Sequence, residues 1–286
     1  MDNFAIFILS HGRAENVYTI KSLKNHGYTG KVIIVIDNED KTSEDYYDKY
    51  DNVQMFDKLE ISKTFDEADN FKDRRSIVYA RNACFEIAKK LGIKYFMQMD
   101  DDYTGFEYRL YSNQFQKPKR VKNLDSVFAA LLGFYKSTPF YSISIAQGGD
   151  FIGGKENKMA KSPTIYRKCM NSFICSAERE FQFVGRINED VNTYTYKQST
   201  GLLMGTIPML ALIQKTTQKN KGGMTDIYLD GGTYVKSFYS VIFSPSSCYI
   251  KPMGDKHLRL HHAVKWENAI PKIIKEDLKK ATKQIK

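Results

Sequence analysis

No apolar stretch in the chain approaches the roughly 18 residues that a membrane span requires, and the opening "MDNFAIFIL" carries an acidic residue where a secretory leader carries positive charge. Both absences point to a soluble, cytoplasmic protein with no membrane partner. Cysteine is sparse: Cys84, Cys169, Cys175 and Cys248 are scattered, and the one close pair has five residues between its members. That spacing is neither a CxxC redox motif nor a common zinc pattern, so the thiols are expected to be reduced and packed. There is no internal repeat and no long Pro/Gly/Ser linker. A phosphate-binding P-loop is also missing, because the glycines of "QGGDFIGG" (147 to 154) lack its spacing and open no obvious helix; that segment reads as a ligand-facing loop or an ordinary turn, as does "GMTDIYLDGGTY".

What is present is an ordinary globular composition, 42% hydrophobic over 286 residues, enough for one sizeable core. The net charge of +10 is unevenly placed: "QKPKRVK" (116 to 122) and the lysines from Lys265 to Lys286 are basic, whereas "DNEDKTSEDYYDKYD" (37 to 51) is acidic. A cationic face suits a phosphate-bearing partner, although a solvated lysine-rich surface has the same composition.

"FAIFILS" and "KVIIVID" have strand length and β-branched or aromatic content, and between them Val17, Ile20, Leu23 and Lys24 fit a helix stopped at Gly27. "RRSIVYARNACFEIAKKLG" repeats the pattern, with apolar residues at helical spacing ending at Gly92, and "KYFMQM" follows as a strand. Alternating strands and helices predict an α/β fold whose ligands lie beyond the carboxyl ends of the strands. In the second half, "SVFAALLGFY" predicts a helix, and "FYSISIAQ" and "MNSFICS" predict strands. "GLLMGTIPMLALIQK" mixes the two signals. "YVKSFYSVIFSP" and "SCYIKPMG" look like strands, and a lysine-rich amphipathic helix is expected from about Pro271.

"KYFMQM" runs directly into Asp100, Asp101 and Asp102, three like charges that repel one another unless something positive sits among them. Hard oxygens at a strand end suit magnesium or manganese, which take one or two carboxylates and complete their shell with diphosphate oxygens and water. An acidic turn after a strand gives the same letters. Diphosphate calls for arginines, and Arg13, Arg74, Arg75 and Arg81 can all face one crevice or can be surface ion pairs. Asp37, ending the second strand, is placed to accept hydrogen bonds from a base or ribose.

The ordered set "ILSHGR", "VIIVIDNED" and "DRRSIVYARNACFEIAKKLGIKYFMQMDDDY" resembles nucleotide-sugar-dependent glycosyltransferases of the GT-A fold, whose DxD motif holds a metal-diphosphate. With "GRINEDVNTY" and "LRLHHAVKWENAIPKII" it is similar, more narrowly, to the phage-type glycosyltransferases associated with TET/JBP enzymes, which act on hydroxymethylated pyrimidines in DNA. The resemblance runs over most of the chain and implies a Rossmann-like, mixed but mainly parallel sheet flanked by helices. It also implies a single domain, with residues 1–105 as the nucleotide-sugar-binding half and 106–286 as the acceptor-binding half. Encoded by a phage, such a protein works inside the infected bacterial cell.

The resemblance further implies Mn2+ or Mg2+ and a UDP-sugar donor, with Asp100 and Asp102 as the DxD carboxylates and Asp102 the direct metal ligand. Asp101 points elsewhere. Arg13, Asp37, Arg75, Arg81, Asp100 and Lys236 contact the donor, and either or both of His261 and His262 add to the metal or diphosphate. Asp190, in "NED" (188 to 190), is the base that takes the acceptor proton, with Glu189 as substitute, and inversion follows; Asn188 before two acids is also a helix-capping signature. The acceptor implied is DNA carrying a 5-hydroxymethylpyrimidine. A nucleotidyltransferase, a glycosyltransferase acting on polysaccharide and a non-catalytic DNA-binding protein remain alternatives to this reading.

Overall fold

The computed structural model describes residues 3–109, 118–151, 163–214, 235–254 and 258–279. "GMTDIYLDGGTY" lies outside them, as do parts of "QKPKRVK", of "QGGDFIGG" and of the C-terminal lysine run.

Strand β1 (Phe4–Leu9) shows how the sequence builds the centre. All six of its residues are buried, Phe4, Ile6 and Ile8 entering one core and Ala5, Phe7 and Leu9 the other. The period of two therefore serves both faces of one sheet, and a strand covered on both faces must be apolar throughout. Parallel neighbours flank it: β2 (Lys31–Asp37) on one side and β4 (Tyr95–Asp100) on the other, with β3 (Val53–Phe56) beyond β2.

Nine strands form this sheet in the order β3-β2-β1-β4-β8-β7-β9-β5-β6, where β5 is Tyr103–Tyr108, β6 Lys119–Arg120, β7 Phe140–Ala146, β8 Ser172–Ser176 and β9 Leu203–Gln214. The pairings set β1, β2, β3, β4, β6, β7 and β9 in one direction and β5 and β8 against them. This is the mixed, mainly parallel sheet expected of the GT-A type. The ambiguous "GLLMGTIPMLALIQK" is strand β9, and its register against β7 slips between Ile207 and Ala211, across Pro208, which has no N–H to give a ladder.

Helices α1 (Tyr18–Asn25) and α5 (Leu124–Ser137) pack Leu23, Phe128, Leu131, Leu132 and Tyr135 on one face of the sheet. On the other face α4 (Val78–Lys90) buries Val78, Tyr79, Ala83, Cys84, Phe85, Ile87 and Ala88. It ends at Gly92, whose φ of 65° is the left-handed turn that favours glycine, with Lys89 and Lys90 complementing the helix dipole. Short helices α2 (Ser43–Lys49) and α3 (Lys58–Ser62) flank β3 in the chain. All four cysteines are buried and unbridged. Among the described residues no helix is long and apolar enough to cross a membrane.

Two expectations need correction. "YVKSFYSVIFSP" forms helix α7 (Val235–Phe243), which follows α6 (Glu189–Ser199) in the chain, rather than a strand. Short apolar runs fit both periods, and here the helical one wins because it turns Ser237 and Ser240 inward together, where their hydroxyls find partners. The basic helix from Pro271 is also not formed among the described residues. After α8 (Trp266–Ala269) the chain is irregular through Lys275 and makes a single 3-10 turn at Glu276–Leu278. Its lysines have little apolar surface to lay on the sheet, and helical stability comes mostly from such packing. The expected strand "SCYIKPMG" is β10 (Cys248–Met253), paired antiparallel with β11 (Arg259–Val264) in a separate ribbon.

Candidate active site

Asp100 is the last residue of β4, so the parallel block delivers the acidic triplet to its carboxyl edge. The three aspartates then part ways. Asp101 turns inward, accepting a hydrogen bond from Ser10 Oγ at 2.6 Å and pairing with Arg13 Nη1 at 3.1 Å. Its pKa is raised, chiefly by burial, against the pull of Arg13. Asp102 stays partly exposed at the turn. Asp100 receives Arg81 Nη2 at 2.9 Å while its side chain keeps 23% exposure. Desolvation lifts Asp100 to about 7; Arg81 opposes that rise, and Asp102 and Asp101 add to it.

Arg81, on α4 and only 1% exposed, is the hinge pin of the site. Its Nε donates to Glu189 Oε1 at 3.1 Å, so one guanidinium joins the end of β4 to the first turn of α6. The rings of Phe173 and Phe183 flank the guanidinium, 4.8 and 5.9 Å from Cζ. Burial, with Asp190 alongside, raises the Glu189 carboxyl, and Arg81 pulls it down. Glu189 is thus engaged in holding the architecture, which leaves Asp190 as the acid of "NED" not tied to Arg81. Asp190 is buried, and its Oδ1 accepts from the Val191 N–H at 2.7 Å.

The turn that presents these acids is tightly specified. Asn188 sits at φ 61°, a conformation asparagine tolerates, and its side chain does not cap α6; it donates to Ser240 Oγ of α7 at 2.6 Å. Ser240 in turn donates to Asn192 Oδ1 at 2.9 Å. Gly185 has φ 80°, and a Cβ there would lie 2.2 Å from Asn192 Nδ2. Arg186, buried, reaches Asp69 at 2.8 Å and the Tyr239 hydroxyl at 3.2 Å, fastening the 66–76 segment to α7.

The remaining expected donor contacts are partly spoken for. Asp37 is buried, its Oδ2 accepting from His11 Nδ1 at 2.7 Å and its Oδ1 meeting Lys58 Nζ at 2.9 Å. Burial acts to raise its pKa, but the His11 hydrogen bond and the Lys58 charge outweigh that and hold it below the usual range. Arg75 lies at the surface, bidentate on Asp73 at 2.8 and 2.9 Å, and Arg74 pairs with Glu39 at 2.6 Å. Lys236 opens α7 and His261 and His262 lie on β11. Among the described residues no three or more His, Cys, Asp or Glu side chains gather as a metal cluster, so the two histidines are not brought into such a group with Asp100 and Asp102.

Sequence reasoning missed His11 and Lys58, which hold Asp37. His11 stands in "LSHGR" directly after a strand, and that position was signal enough. A solitary lysine such as Lys58 gives none.

Among solved structures, the chain is similar to S. aureus TarS residues 1–349 in complex with UDP-GlcNAc, at 12% identity and a TM-score of 0.45, over 83% of this chain and 66% of that one, just under two thirds of its length. It is also similar to glucosyl-3-phosphoglycerate synthase from Mycobacterium tuberculosis in complex with Mg2+ and UDP, at 7% identity and a TM-score of 0.46, over 91% and 87% of the two chains. No curated protein matches. A family model does match, the TET-Associated Glycosyltransferase, over residues 4–223. With more than half of the chain so matched, this protein belongs to the TET-associated glycosyltransferase family.

Proposed function

We propose that the protein is a metal-dependent, inverting enzyme that moves a sugar from a UDP-sugar to the 5-hydroxymethyl group of a pyrimidine in DNA. Glycosyl transfer as such follows from the family, which sets aside nucleotidyl transfer and a purely DNA-binding role. The observation that carries the finer reading is the Arg81 bridge. It fixes Asp100 at the edge of β4 and Glu189 at the start of α6, and so holds two separate acidic centres, Asp100 with Asp102 and Asp190, on one frame.

The donor set fits a hard divalent cation. Two neighbouring carboxylates, with no third ligand gathered on them among the described residues, match magnesium or manganese, whose remaining positions go to diphosphate oxygens and water. Asp100 and Asp102 would hold the ion, which when bound neutralises the charge that develops on the departing UDP. Asp37 and its partners His11 and Lys58 form the floor on which the nucleoside rests. Asp190 accepts the proton of the hydroxymethyl O–H as that oxygen closes on the anomeric carbon from the side opposite the UDP, and this geometry inverts the carbon. Arg81 takes no part in the proton transfer; it keeps Glu189 from competing with Asp190.

Incubation with Mn2+, a panel of UDP-sugars and duplex DNA with or without 5-hydroxymethylcytosine or 5-hydroxymethyluracil, followed by nucleoside mass analysis, tests the reading. A hexose or pentose added only to hydroxymethylated DNA supports it. Transfer to unmodified DNA, or to a polysaccharide in preference to DNA, rejects the acceptor.

A further inference from the structure

We infer that the β10–β11 ribbon is an arm whose far end enters the major groove of a DNA duplex, with Lys251, Arg259 and Lys265 on backbone phosphates and Met253, Leu258 and Leu260 toward the base edges. The inference rests on the preceding reading for the choice of DNA as acceptor, and it concerns residues to which that reading gives no role.

The ribbon is fastened at one end. The Cys248 N–H donates to the Ser244 carbonyl and the Lys265 N–H to the Ser247 carbonyl, each at 2.7 Å, so both strands are rooted just past α7. Within that helix Ser237 accepts the His262 N–H at 3.1 Å, and Ser240, one turn on, accepts from Asn188 at 2.6 Å, two residues before Asp190. The arm and the proposed base are therefore braced by one helix. From this foot outward, burial falls. On the inner face Cys248 and His262 are buried, Ile250 is half-buried, and Pro252 and Leu260 are exposed. On the outer face Tyr249, Lys251, Met253 and Arg259 are all exposed. The far end, where Met253 pairs with Arg259 about 17 Å from the foot, thus has solvent on both sides.

Two properties of the arm single out duplex DNA. The first is charge of one sign: residues 248–254 and 258–265 include Lys251, Arg259 and Lys265 and no carboxylate. Lys265 lies over the Tyr249 ring, 5.5 Å from its centroid, so it joins the other two on the outer face in a row about 20 Å long. The second is the apolar end, where Met253 and Leu260 are exposed and Leu258 is 75% exposed. A two-stranded ribbon has no core of its own to cover such side chains. Apolar groups rimmed by cations fit a partner that is anionic at its edges and less polar within. The major groove has phosphates along both walls and base edges with thymine methyls on its floor, and it is wide enough for a two-stranded ribbon. It is also the groove into which the 5-substituent of a pyrimidine projects, so an arm lying there holds the hydroxymethyl group on the side of α7 and Asp190. The other basic segment is badly placed for this task. Lys119 and Arg120 pair with Tyr108 and Glu107 at the end of β5, about 15 Å along that strand from the aspartate triplet.

Fluorescence anisotropy of the full chain with plain and hydroxymethylated duplexes over a salt series tests the arm without donor, metal or turnover. Lys251→Gln/Arg259→Gln is expected to weaken duplex binding about tenfold and to reduce the salt slope by about two, one for each cation removed. Met253→Ser/Leu260→Ser should lose affinity with the slope unchanged. Lys119→Gln/Lys122→Gln, on the distant edge strand and the residues after it, should bind as wild type does. Melting temperatures separate lost docking from lost fold, and all three variants should keep the wild-type value because the altered side chains are exposed. Methyl green, which occupies the major groove, should displace the wild type, and netropsin, which occupies the minor groove, should not. Wild type that fails to bind duplex, unchanged affinity in Lys251→Gln/Arg259→Gln, or displacement by netropsin alone overturns the inference. So does a variant that loses affinity for an anionic polysaccharide such as dextran sulfate but not for DNA. Sugar transfer to hydroxymethylated DNA by a wild type whose ribbon variants bind that DNA unchanged removes the arm alone. Ribbon-dependent duplex binding without any such transfer removes the acceptor assignment and leaves the arm standing.

Discussion

On the side of β1 and β2, Asp37, Asp40 and Asp101 all have partners inside the protein. His11 and Lys58 hold Asp37, Ser10 and Arg13 hold Asp101, and Asp40 accepts from the Gly12 and Thr42 backbone at 2.6 and 2.8 Å. On the side of α7 and the β10–β11 ribbon, by contrast, both ring nitrogens of His262 are buried with no hydrogen-bond partner among the described residues. The first side is finished before any ligand arrives, and its acids are stabilised in the ionised form or tied into the fold. The second keeps buried polar groups without such partners. Under the proposed function, that difference would be a division of labour in which the nucleotide is met by a preformed floor and the reacting hydroxyl by a less completed side.

Substitutions at the second side should therefore remove chemistry while sparing the fold. Asp190→Asn is expected to lower turnover by about 10²- to 10⁴-fold, the usual worth of a general base, with UDP affinity in the presence of Mn2+ changed little. Asp102→Ala should lose Mn2+-dependent UDP binding as well. Both are read by nucleoside mass analysis together with calorimetry. Full turnover in Asp190→Asn would remove this residue from its role.

The seam between the two sides is Arg81. Arg81→Met leaves Asp100 and Glu189 without their shared cation in a desolvated place, and breaking such a buried pair costs about 3–5 kcal/mol. The penalty should shrink at pH 5.5 relative to pH 7.5, because carboxyls already raised toward neutrality take up protons once the arginine is gone. Urea denaturation at the two pH values measures it; an equal loss at both would show that the bridge is not what stabilises the seam.

How much of this was legible in the letters follows the same division. The parallel block could be read because each of its runs is closed by an informative residue: "KVIIVID" by Asp37, "AKKLG" by Gly92, "KYFMQM" by Asp100. The triplet's divergence was partly visible, since alternation along a strand sends Asp101 the opposite way from its neighbours. Arg81 was singled out, but its two carboxylate partners were not: an arginine that meets a phosphate and one that meets two carboxylates have the same neighbours in sequence. Helix α7 was misread because "SFYSVIF" suits either period, and its two inward serines choose the helix through contacts with Asn188 and His262, about 50 and 25 residues away in the chain.

A third substitution probes the joint that presents Asp190. Gly185→Ala places a methyl at φ 80° against Asn192 Nδ2 and the Phe243 ring, so both the backbone and the Asn192–Ser240 contact must yield. A loss of about 1–3 kcal/mol is expected from the strain, with activity falling further than stability because α6 carries Asp190, the base of the proposed mechanism. Thermal denaturation and turnover of the same preparation compare the two; an unstrained, fully active variant would mean that the turn is freer than its geometry states.

The smallest effect belongs to the finished side and concerns acid. Asp37 is held below its ordinary pKa by His11 and Lys58 in spite of burial, so the folded state binds this proton less readily than the unfolded chain does. Its stabilising contribution is then complete above the pKa of an unfolded aspartate, near pH 4, and is lost as pH falls through the lower folded value. Asp37→Asn removes that titration but also strands Lys58, so total stability at neutral pH mixes two effects. The slope of stability against pH below about pH 4 does not share that ambiguity, because only carboxyl groups take up protons in that range. It should be shallower in the variant, and urea midpoints collected along that range decide the matter. An unchanged slope would mean that the closed ion network on this side holds its side chains in place without contributing to acid resistance.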